Sequence, residues 1–344
     1  MFSSRLRLSL TSIVSLLLLS FACIPGVGTM HHAQNDAISD ELRNQIHTLN
    51  QIIVDGLLSG DASEILGLYV EEVEERPEFA SELESMVTQA GVQLLGSDIE
   101  VFHEFDITCS NVNPQFTWAV VSDFDDGFIV HVNGIRKRMF VSLLEAKGSF
   151  EDKLIGIHYV HDGDSWRVFD LQIHVFRVGG KSALEWGHEA KKLQEQGLAV
   201  PAQLRFIVAK SIIRPLPQMQ YVEEGELLKV GMSIGEEIAA LPQLPLTLQE
   251  LPSAPLVYSI SPHFVDGQLV AKVQYVSQFE LSESALTPEV AAISEALSEL
   301  LPGLCAESDL VMYRAFSEAP IEPSKNYEAF GVVYDCNGDA EPAI

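Results

Sequence analysis

The stretch from Leu154 to Phe176 reads LIGIHYVHDGDSWRVFDLQIHVF, with two runs of alternating residues on either side of Asp162-Gly163. An Asp-Gly pair between two alternating runs is the strongest short signal for a β-hairpin. We therefore predict a hairpin with Asp162 and Gly163 as its two-residue turn. The segments before it, from residue 38 onward, are expected to pack on this hairpin, and the residues after Gly179 are expected to be additions to it.

Helical patterns precede strand patterns in this amino-terminal half of the chain. Apolar residues recur at helical spacing in three segments, which are separated by Gly60-Asp61 and by Pro77. The predicted helices cover residues 38–57, 65–73 and 77–91. The predicted strands cover residues 99–107, 116–122, 128–132 and 138–145, before the hairpin. Helices followed by a meandering antiparallel sheet indicate an α+β domain over residues 38–178.

Two parts of this domain resemble a known superfamily. One is Ser59-Gly60-Asp61 between the first two helices, and the other is Tyr159–Val168 (YVHDGDSWRV), where the superfamily has a hairpin ending in Asp-Gly-x-Trp. The resemblance is to the nuclear-transport-factor-like (SnoaL-like, ketosteroid-isomerase-like) proteins. It implies a cone fold, in which a curved sheet wraps helices around a pocket. It implies no particular chemistry, because that superfamily hosts enzymes, binding proteins and scaffolds alike, and its catalytic Asp and Tyr have no matching positions here.

The predicted pairing of the hairpin defines a candidate pocket. With the turn at Asp162-Gly163, Tyr159 faces Trp166, and the same face continues along the second strand through polar residues. The candidate pocket residues are Tyr159, Trp166, Asp170, Gln172 and His174.

Two interpretations of this polar group remain open. A histidine titrates near neutral pH, and Asp170 is placed to orient His174, so the group could bind a polar ligand or transfer a proton. Alternatively, the group is ordinary surface that meets solvent or the following domain. His158 falls on the opposite face of the hairpin, and it joins the group only if a bulge changes the register.

Residues 1–22 have the pattern of a secretory signal peptide. A basic start precedes an apolar run, Leu8–Ala22, which is shorter than the roughly 20 residues that span a bilayer. Residues 20–23 (SFAC) also resemble a bacterial lipobox, although the first two depart from its usual residues. The chain is therefore expected to be exported, either cleaved after Ala22 and released into the periplasm or anchored through a lipid on Cys23. Residues 23–37 are expected to form a tether.

The charge balance narrows the choice of partners. The chain has 49 acidic and 21 basic side chains, and its formal net charge is −28. Such a surface repels nucleic-acid phosphates and anionic lipid headgroups. We therefore exclude nucleic acid as a partner and expect membrane contact only through the lipid anchor. The charge is typical of a soluble exported protein from a salty habitat, and the alternative is a basic protein partner.

Residues 179–241 are predicted to contain a helical hairpin, with helices over 183–193 and 201–213. Within this region, Gly231-Met232-Ser233-Ile234-Gly235 matches the G-x-S-x-G pattern of a hydrolase nucleophile. That pattern requires a preceding strand and a later His, and His263 is the only His that follows. A chance match within a helix is the better interpretation.

A proline-rich linker at residues 242–254 leads to a predicted ββαββ domain at 255–335 and a short tail at 336–344. Cys305 follows the predicted helix and Cys336 follows the last strand, so the two are a candidate disulfide pair in an exported protein. Cys109 is expected to be buried and free. The Cys and His spacings do not match a zinc site, and we expect no metal and no cofactor.

These patterns favour an exported bacterial protein without catalytic machinery, which binds a small ligand or another envelope protein. The alternative is a pocket enzyme on the cone fold that uses Asp170 and His174 as an acid–base pair. The sequence does not decide between them, although the lack of a complete catalytic constellation favours a non-enzyme.

Overall fold

The computed structural model describes residues 29–122, 127–306, 310–322, 325–336 and 340–342. Within these ranges the protein is mixed α/β, with eight α-helices and three largely antiparallel sheets, none of them closed. The contacts divide the chain into two compact units. The first contains the described residues up to Gly148, Lys153–His174 and Leu216–Met219. The second contains Ser149–Asp152, Val175–Pro215 and the described residues from Gln220 onward.

The first unit begins with a long helix, α1 (Asp40–Ser59). Its amino terminus is capped by the side chain of Ser39, which accepts a hydrogen bond from the backbone of Leu42, and Gly60 ends it in a left-handed conformation (φ 73°). Its buried face follows the predicted apolar stripe, with one polar member, Asn50. The stripe therefore holds α1 to the sheet and carries one amide into the interior.

The next helical segment differs from the prediction. Instead of one helix over 65–73, the chain forms two short helices, α2 (Ser63–Leu66) and α3 (Glu71–Glu74), before α4 (Phe79–Gln93). The residues between them hydrogen-bond to a strand, because Val168 N–H donates to Leu68 O (2.8 Å) and Val70 N–H donates to Val168 O (3.0 Å). These backbone bonds require an extended conformation, which interrupts the helix.

Seven strands belong to this part of the chain, one before these helices and six after them. They are β1 (Met30–Gln34), β2 (Asp98–Cys109), β3 (Asn113–Val121), β4 (Phe128–Ile135), β5 (Arg138–Lys147), β6 (Glu151–Asp162) and β7 (Ser165–Val178). Five of them form one sheet in the order β1-β2-β5-β6-β7. β1 corrects an expectation, because residues 30–34 pair with β2 and are not a tether. The predicted signal peptide and Cys23 lie outside the described residues.

The turn of the opening hairpin lies one residue further along than predicted. β6 ends at Asp162 and β7 begins at Ser165, so Gly163 and Asp164 form the turn. Gly163 has φ 61°, which suits the first central position of a type II′ turn, where Gly is preferred. The shift places the ring of Trp166 against His161 (5.1 Å between centroids), so the predicted pairing of Tyr159 with Trp166 is wrong.

A second, three-stranded sheet has the order β3-β4-β8, where β8 is Met219–Tyr221. β3 and β4 form the predicted antiparallel hairpin. The short segment Leu216–Met219 belongs to the first unit although it comes much later in the chain. His131 N–H donates to Gln218 O at 2.7 Å, and this bond fixes the segment beside β4.

The second unit contains three helices from the middle of the chain, α5 (Ala183–Glu195), α6 (Ala199–Ser211) and α7 (Glu224–Ala239). The helices pack closely at glycines: a Cβ on Gly231 would lie 1.8 Å from the ring of Phe206. Ser233 lies in the middle of α7, and its hydroxyl accepts a hydrogen bond from Gln194 Nε2 at 2.6 Å. A serine in mid-helix has no nucleophile elbow, so the G-x-S-x-G match is a chance one.

The second unit also contains a six-stranded sheet. Its order is β14-β13-β12-β11-β10-β9, with β9 (Leu246–Thr247), β10 (Leu256–Val265), β11 (Gln268–Val276), β12 (Leu310–Phe316), β13 (Ala329–Asp335) and β14 (Ala340–Pro342). β11 and β12 are parallel and are connected through helix α8 (Glu283–Leu300). The sequence predicted four strands and missed β9 and β14, which are two- and three-residue strands at the edges.

Helix α8 begins at Glu283, five residues before Pro288, although proline usually stands in the first turn of a helix. The earlier start buries Leu286 completely and extends the apolar face that contains Val290, Ile293 and Leu297. Packing of this extra turn against the sheet therefore outweighs the preference of proline for the first turn of a helix.

The candidate disulfide is present. Cys305 and Cys336 are joined by an S–S bond, with their Cα atoms 5.9 Å apart. Cys109 is free and buried, as expected, and burial raises the pKa of its thiol to about 11. Because the thiolate is the reactive form, Cys109 is a structural residue at neutral pH.

Candidate functional site

A cleft of about 360 Å³ lies in the first unit, between helix α1 and the sheet. Its lining combines polar and apolar side chains: His47, Asn50, Gln51, Val54, Leu58, Ser97, Ile99, Glu100, Val101 and Leu144. Ligand pockets commonly combine apolar walls with a few placed polar groups, and this volume is at the small end of their usual range. The cleft is therefore suited to a small molecule.

The most distinctive feature of the cleft is a histidine held by a buried carboxylate. Nε2 of His47 lies 3.0 Å from Oε1 of Glu104. The His47 side chain is 42% exposed, whereas that of Glu104 is 3% exposed. Burial raises the pKa of Glu104, and the neighbouring His47 opposes this shift. The carboxylate thus fixes the imidazole ring from behind while the ring faces the cleft.

A β-bulge explains why Glu104 points toward α1. Val101 pairs with Leu144 and Glu104 pairs with Ser142, while Phe102 is an extra residue in β2. One extra residue reverses the alternation of a strand, so Val101 and Glu104 lie on the same face. Without the bulge, regular alternation along β2 would place Glu104 on the face opposite Val101. Sequence reasoning missed the site for that reason.

Next to this pair, a chain of hydrogen bonds crosses from α1 to the sheet. Asn50 Nδ2 donates to Ser142 Oγ at 2.8 Å, and the Tyr159 hydroxyl donates to Asn50 Oδ1 at 2.7 Å. All three side chains are buried, and burial raises the pKa of Tyr159 well above its ordinary value, so the phenol stays a neutral donor. The network holds Asn50 at the wall of the cleft. A polar residue within the apolar stripe of α1 was the only sequence signal for it.

The predicted candidate pocket is divided between different parts of the first unit. Tyr159 belongs to the Asn50 network, and Trp166 packs against Phe140 and the guanidinium of Arg138. Asp170 and Gln172 are hydrogen-bonded, with Gln172 Nε2 donating to Asp170 Oδ2 at 2.8 Å. His174 is exposed. The five residues therefore make their contacts in different clusters of the first unit.

His158 is connected to Asp170 through a residue that the hairpin pattern does not contain. Gln218 Nε2 donates to Asp170 Oδ2 at 3.1 Å and lies 3.4 Å from His158 Nε2. Gln218 thus links His158 to Asp170, two residues that a regular hairpin pattern places on opposite faces. The cavity beside His158 has only about 10 Å³, which is about the least that holds one water molecule. This cluster is accordingly structural, and the cleft at His47 is the better candidate site.

We expect His158 to make the first unit sensitive to acid. Burial lowers the pKa of His158, and Asp170 only partly opposes the shift. An unfolded histidine has a pKa near about 6.5, so below that value the unfolded chain binds a proton that the folded chain does not, and stability falls. Between pH 7 and 5 the wild type should lose up to about 1.4 kcal/mol per pH unit more than His158→Gln.

Urea titrations across this pH range measure the difference in stability between the wild type and His158→Gln. Unfolding of β6 is followed in these titrations by pulsed hydrogen exchange at one fixed labelling pH. His188→Gln, at an exposed position in the second unit, is the control and should retain the wild-type slope. Parallel pH dependences for the wild type and His158→Gln contradict the prediction.

None of the helices in the described ranges has the length and continuous apolar character that a membrane span requires. Within the same ranges, no three His, Cys, Asp or Glu side chains are grouped so that they could hold a metal ion. No family model, no curated protein and no solved structure matches the chain.

Proposed function

We propose that the protein is an exported binding module of the cell envelope and that the cleft at His47 holds a small ligand. The single observation that carries this proposal is the half-exposed His47 ring, fixed by the buried Glu104 carboxylate at the wall of the cleft. A buried charge is costly unless it is hydrogen-bonded. Here the fold accepts that cost, and the carboxylate orients a side chain toward an open cleft.

The imidazole indicates which ligand groups the cleft prefers. When neutral His47 donates from Nε2 to Glu104, its Nδ1 is left as an acceptor. A hydroxyl or N–H of the ligand then donates to Nδ1, while its apolar part lies against Val54, Leu58 and Leu144. The Glu104 carboxylate behind His47 makes the site less suited to anions, whereas Glu100 is paired with Lys147. The ligand is therefore a small neutral or cationic molecule with at least one hydrogen-bond donor.

The cone architecture belongs to this proposal as well. A long helix lies over a five-stranded antiparallel sheet with a cleft between them, which is the arrangement expected for a nuclear-transport-factor-like domain. The envelope location rests on the signal-peptide pattern of residues 1–22 and on the lipobox-like SFAC at residues 20–23. The Cys305–Cys336 disulfide is consistent with an oxidising compartment.

The test is a ligand screen against the full mature chain by ligand-observed NMR, with neutral polyols, sugars and nucleosides as probes. A hit at this site should lose at least tenfold in affinity in His47→Ala and should be abolished in Val54→Trp, which fills the cleft. His188→Ala, at an exposed histidine of the second unit, is the matched control and should bind normally. A hit that binds Val54→Trp as well as the wild type rejects the cleft.

An acid–base enzyme is the second candidate, and the same pair of residues favours it. A histidine whose one nitrogen is held by a carboxylate is the usual arrangement of a general base. The sequence suggested Asp170 and His174 for this role. His174 is exposed, however, and Asp170 is hydrogen-bonded to Gln172 and Gln218. The enzyme is supported if a bound probe is turned over and Glu104→Gln loses the turnover but retains binding. The binding module is supported if the probe is unchanged after prolonged incubation.

A further inference from the structure

A second groove lies in the second unit, beside the amino-terminal half of helix α8. It has a volume of about 440 Å³, and its walls are almost entirely apolar: Leu251, Pro252, Phe279, Ala285, Pro288 and Ala292. Phe279 is 46% exposed at this site. One acidic side chain, Glu289, also lines the groove.

Glu289 is buried and only half satisfied. The residue is 5% exposed. Its Oε2 accepts hydrogen bonds from Ser277 Oγ (2.7 Å) and from the Tyr275 hydroxyl (3.2 Å). Its Oε1 is buried and accepts no hydrogen bond from the described residues. A carboxylate has about four acceptor positions, and leaving one oxygen of a buried carboxylate unpaired costs more than leaving a neutral group unpaired.

The surroundings hold this carboxyl group in place through neutral hydroxyl groups. Burial and the nearby Glu289 both raise the pKa of Tyr275, which therefore stays a neutral donor. The Ser277 hydroxyl oxygen also accepts a hydrogen bond from Phe279 N–H at 3.0 Å, which ties the groove wall to the same cluster. Among the described ion pairs, none includes Glu289. The site thus has a fixed carboxyl group and apolar walls, and the ion pairs of the described residues place no cation beside it.

We propose that this groove binds a small organic amine whose ammonium N–H donates to Glu289 and whose hydrocarbon part packs on Phe279, Leu251 and Pro288. A single carboxylate suits an ammonium group better than a metal ion, which needs several ligands. An anionic ligand is excluded by the buried Glu289, and a purely apolar ligand would leave Oε1 unpaired. The aromatic face of Phe279 adds attraction for a cation.

The experiment is isothermal titration of the full mature chain with three probes of similar shape: benzylammonium, benzyl alcohol and benzoate. In 150 mM salt, benzylammonium should bind at least tenfold more tightly than benzyl alcohol, and benzoate should not bind. Glu289→Gln keeps the size of the side chain and should abolish the preference for benzylammonium. Glu295→Gln, at an exposed position on the same helix, changes the net charge equally and should retain it.

A second variant guards against misfolding of Glu289→Gln. Ala285→Leu leaves the carboxylate untouched but fills part of the groove, so it should weaken all binding while circular dichroism stays native. The proposal is overturned if the wild type binds none of the probes at 10 mM, or if benzylammonium binds equally well to Glu289→Gln. The cleft at His47 belongs to the other unit, so Val54→Trp should leave this titration unchanged.

Discussion

Replacing Gly231 by alanine is expected to destabilise the second unit by about 3 kcal/mol, whereas the same change at Gly235 should stabilise it by up to about 1 kcal/mol. Both glycines lie on helix α7. A Cβ on Gly231 would be 1.8 Å from the ring of Phe206, but a Cβ on Gly235 would meet no atom within 4 Å. At the first position the ring must move out of a packed interface. At the second, alanine only improves the intrinsic helix propensity.

Urea unfolding of the two variants measures this difference in sign. Phe206→Leu combined with Gly231→Ala should recover part of the loss, because the two positions compete for the same space. Equal shifts for Gly231→Ala and Gly235→Ala would show that α6 and α7 are not packed as described. The contact with Phe206 also explains the first glycine of the G-x-S-x-G match, because helix packing and not catalysis requires Gly231.

Removing the Cys305–Cys336 disulfide is expected to cost the second unit about 3.5 kcal/mol. The two residues are 31 positions apart, and closing a loop of that length removes this much conformational free energy from the unfolded chain. The bond joins the end of the α8 region to the end of β13, so its loss frees a substantial part of this unit when unfolded. Unfolding of Cys305→Ser/Cys336→Ser against the wild type measures the cost.

Reductant provides the matched control for this experiment. Dithiothreitol should lower the stability of the wild type to that of the double variant and should leave the double variant unchanged. A wild type that is insensitive to reductant at its unfolding midpoint would contradict the prediction. Cys109 does not interfere, because it is free in both proteins.

The sequence was informative wherever local periodicity matched the packing. The stripe of α1 identified its buried face, and the Asp-Gly pair identified the hairpin within one residue of its turn. The disulfide pairing could be proposed because each cysteine followed the end of a predicted element. In each case the signal and the structural feature lie close together along the chain.

The candidate site was missed because it depends on features with no local signal. The bulge at Phe102 reverses the face of Glu104, and alternation alone assigns that carboxylate to the wrong side. Gln218 reaches His158 and Asp170 from a segment 48 residues beyond Asp170. The interruption after α2 also depends on backbone bonds to Val168, 100 residues after Leu68. Long-range hydrogen bonds decided these points, and periodicity does not encode them.

The first unit is discontinuous along the chain, because its segment Leu216–Met219 lies between two stretches of the second unit. A chain truncated after Val178 would lack Leu216 and Gln218. Leu216 lies against Gly156, where an added Cβ would be 2.6 Å from Leu216 Cδ1, and Gln218 lies beside His158. Simple truncation therefore leaves the first unit without residues that pack in its interior. The protein is therefore suited to fragment complementation, in which a separate peptide that contains Leu216–Met219 is added to the truncated chain.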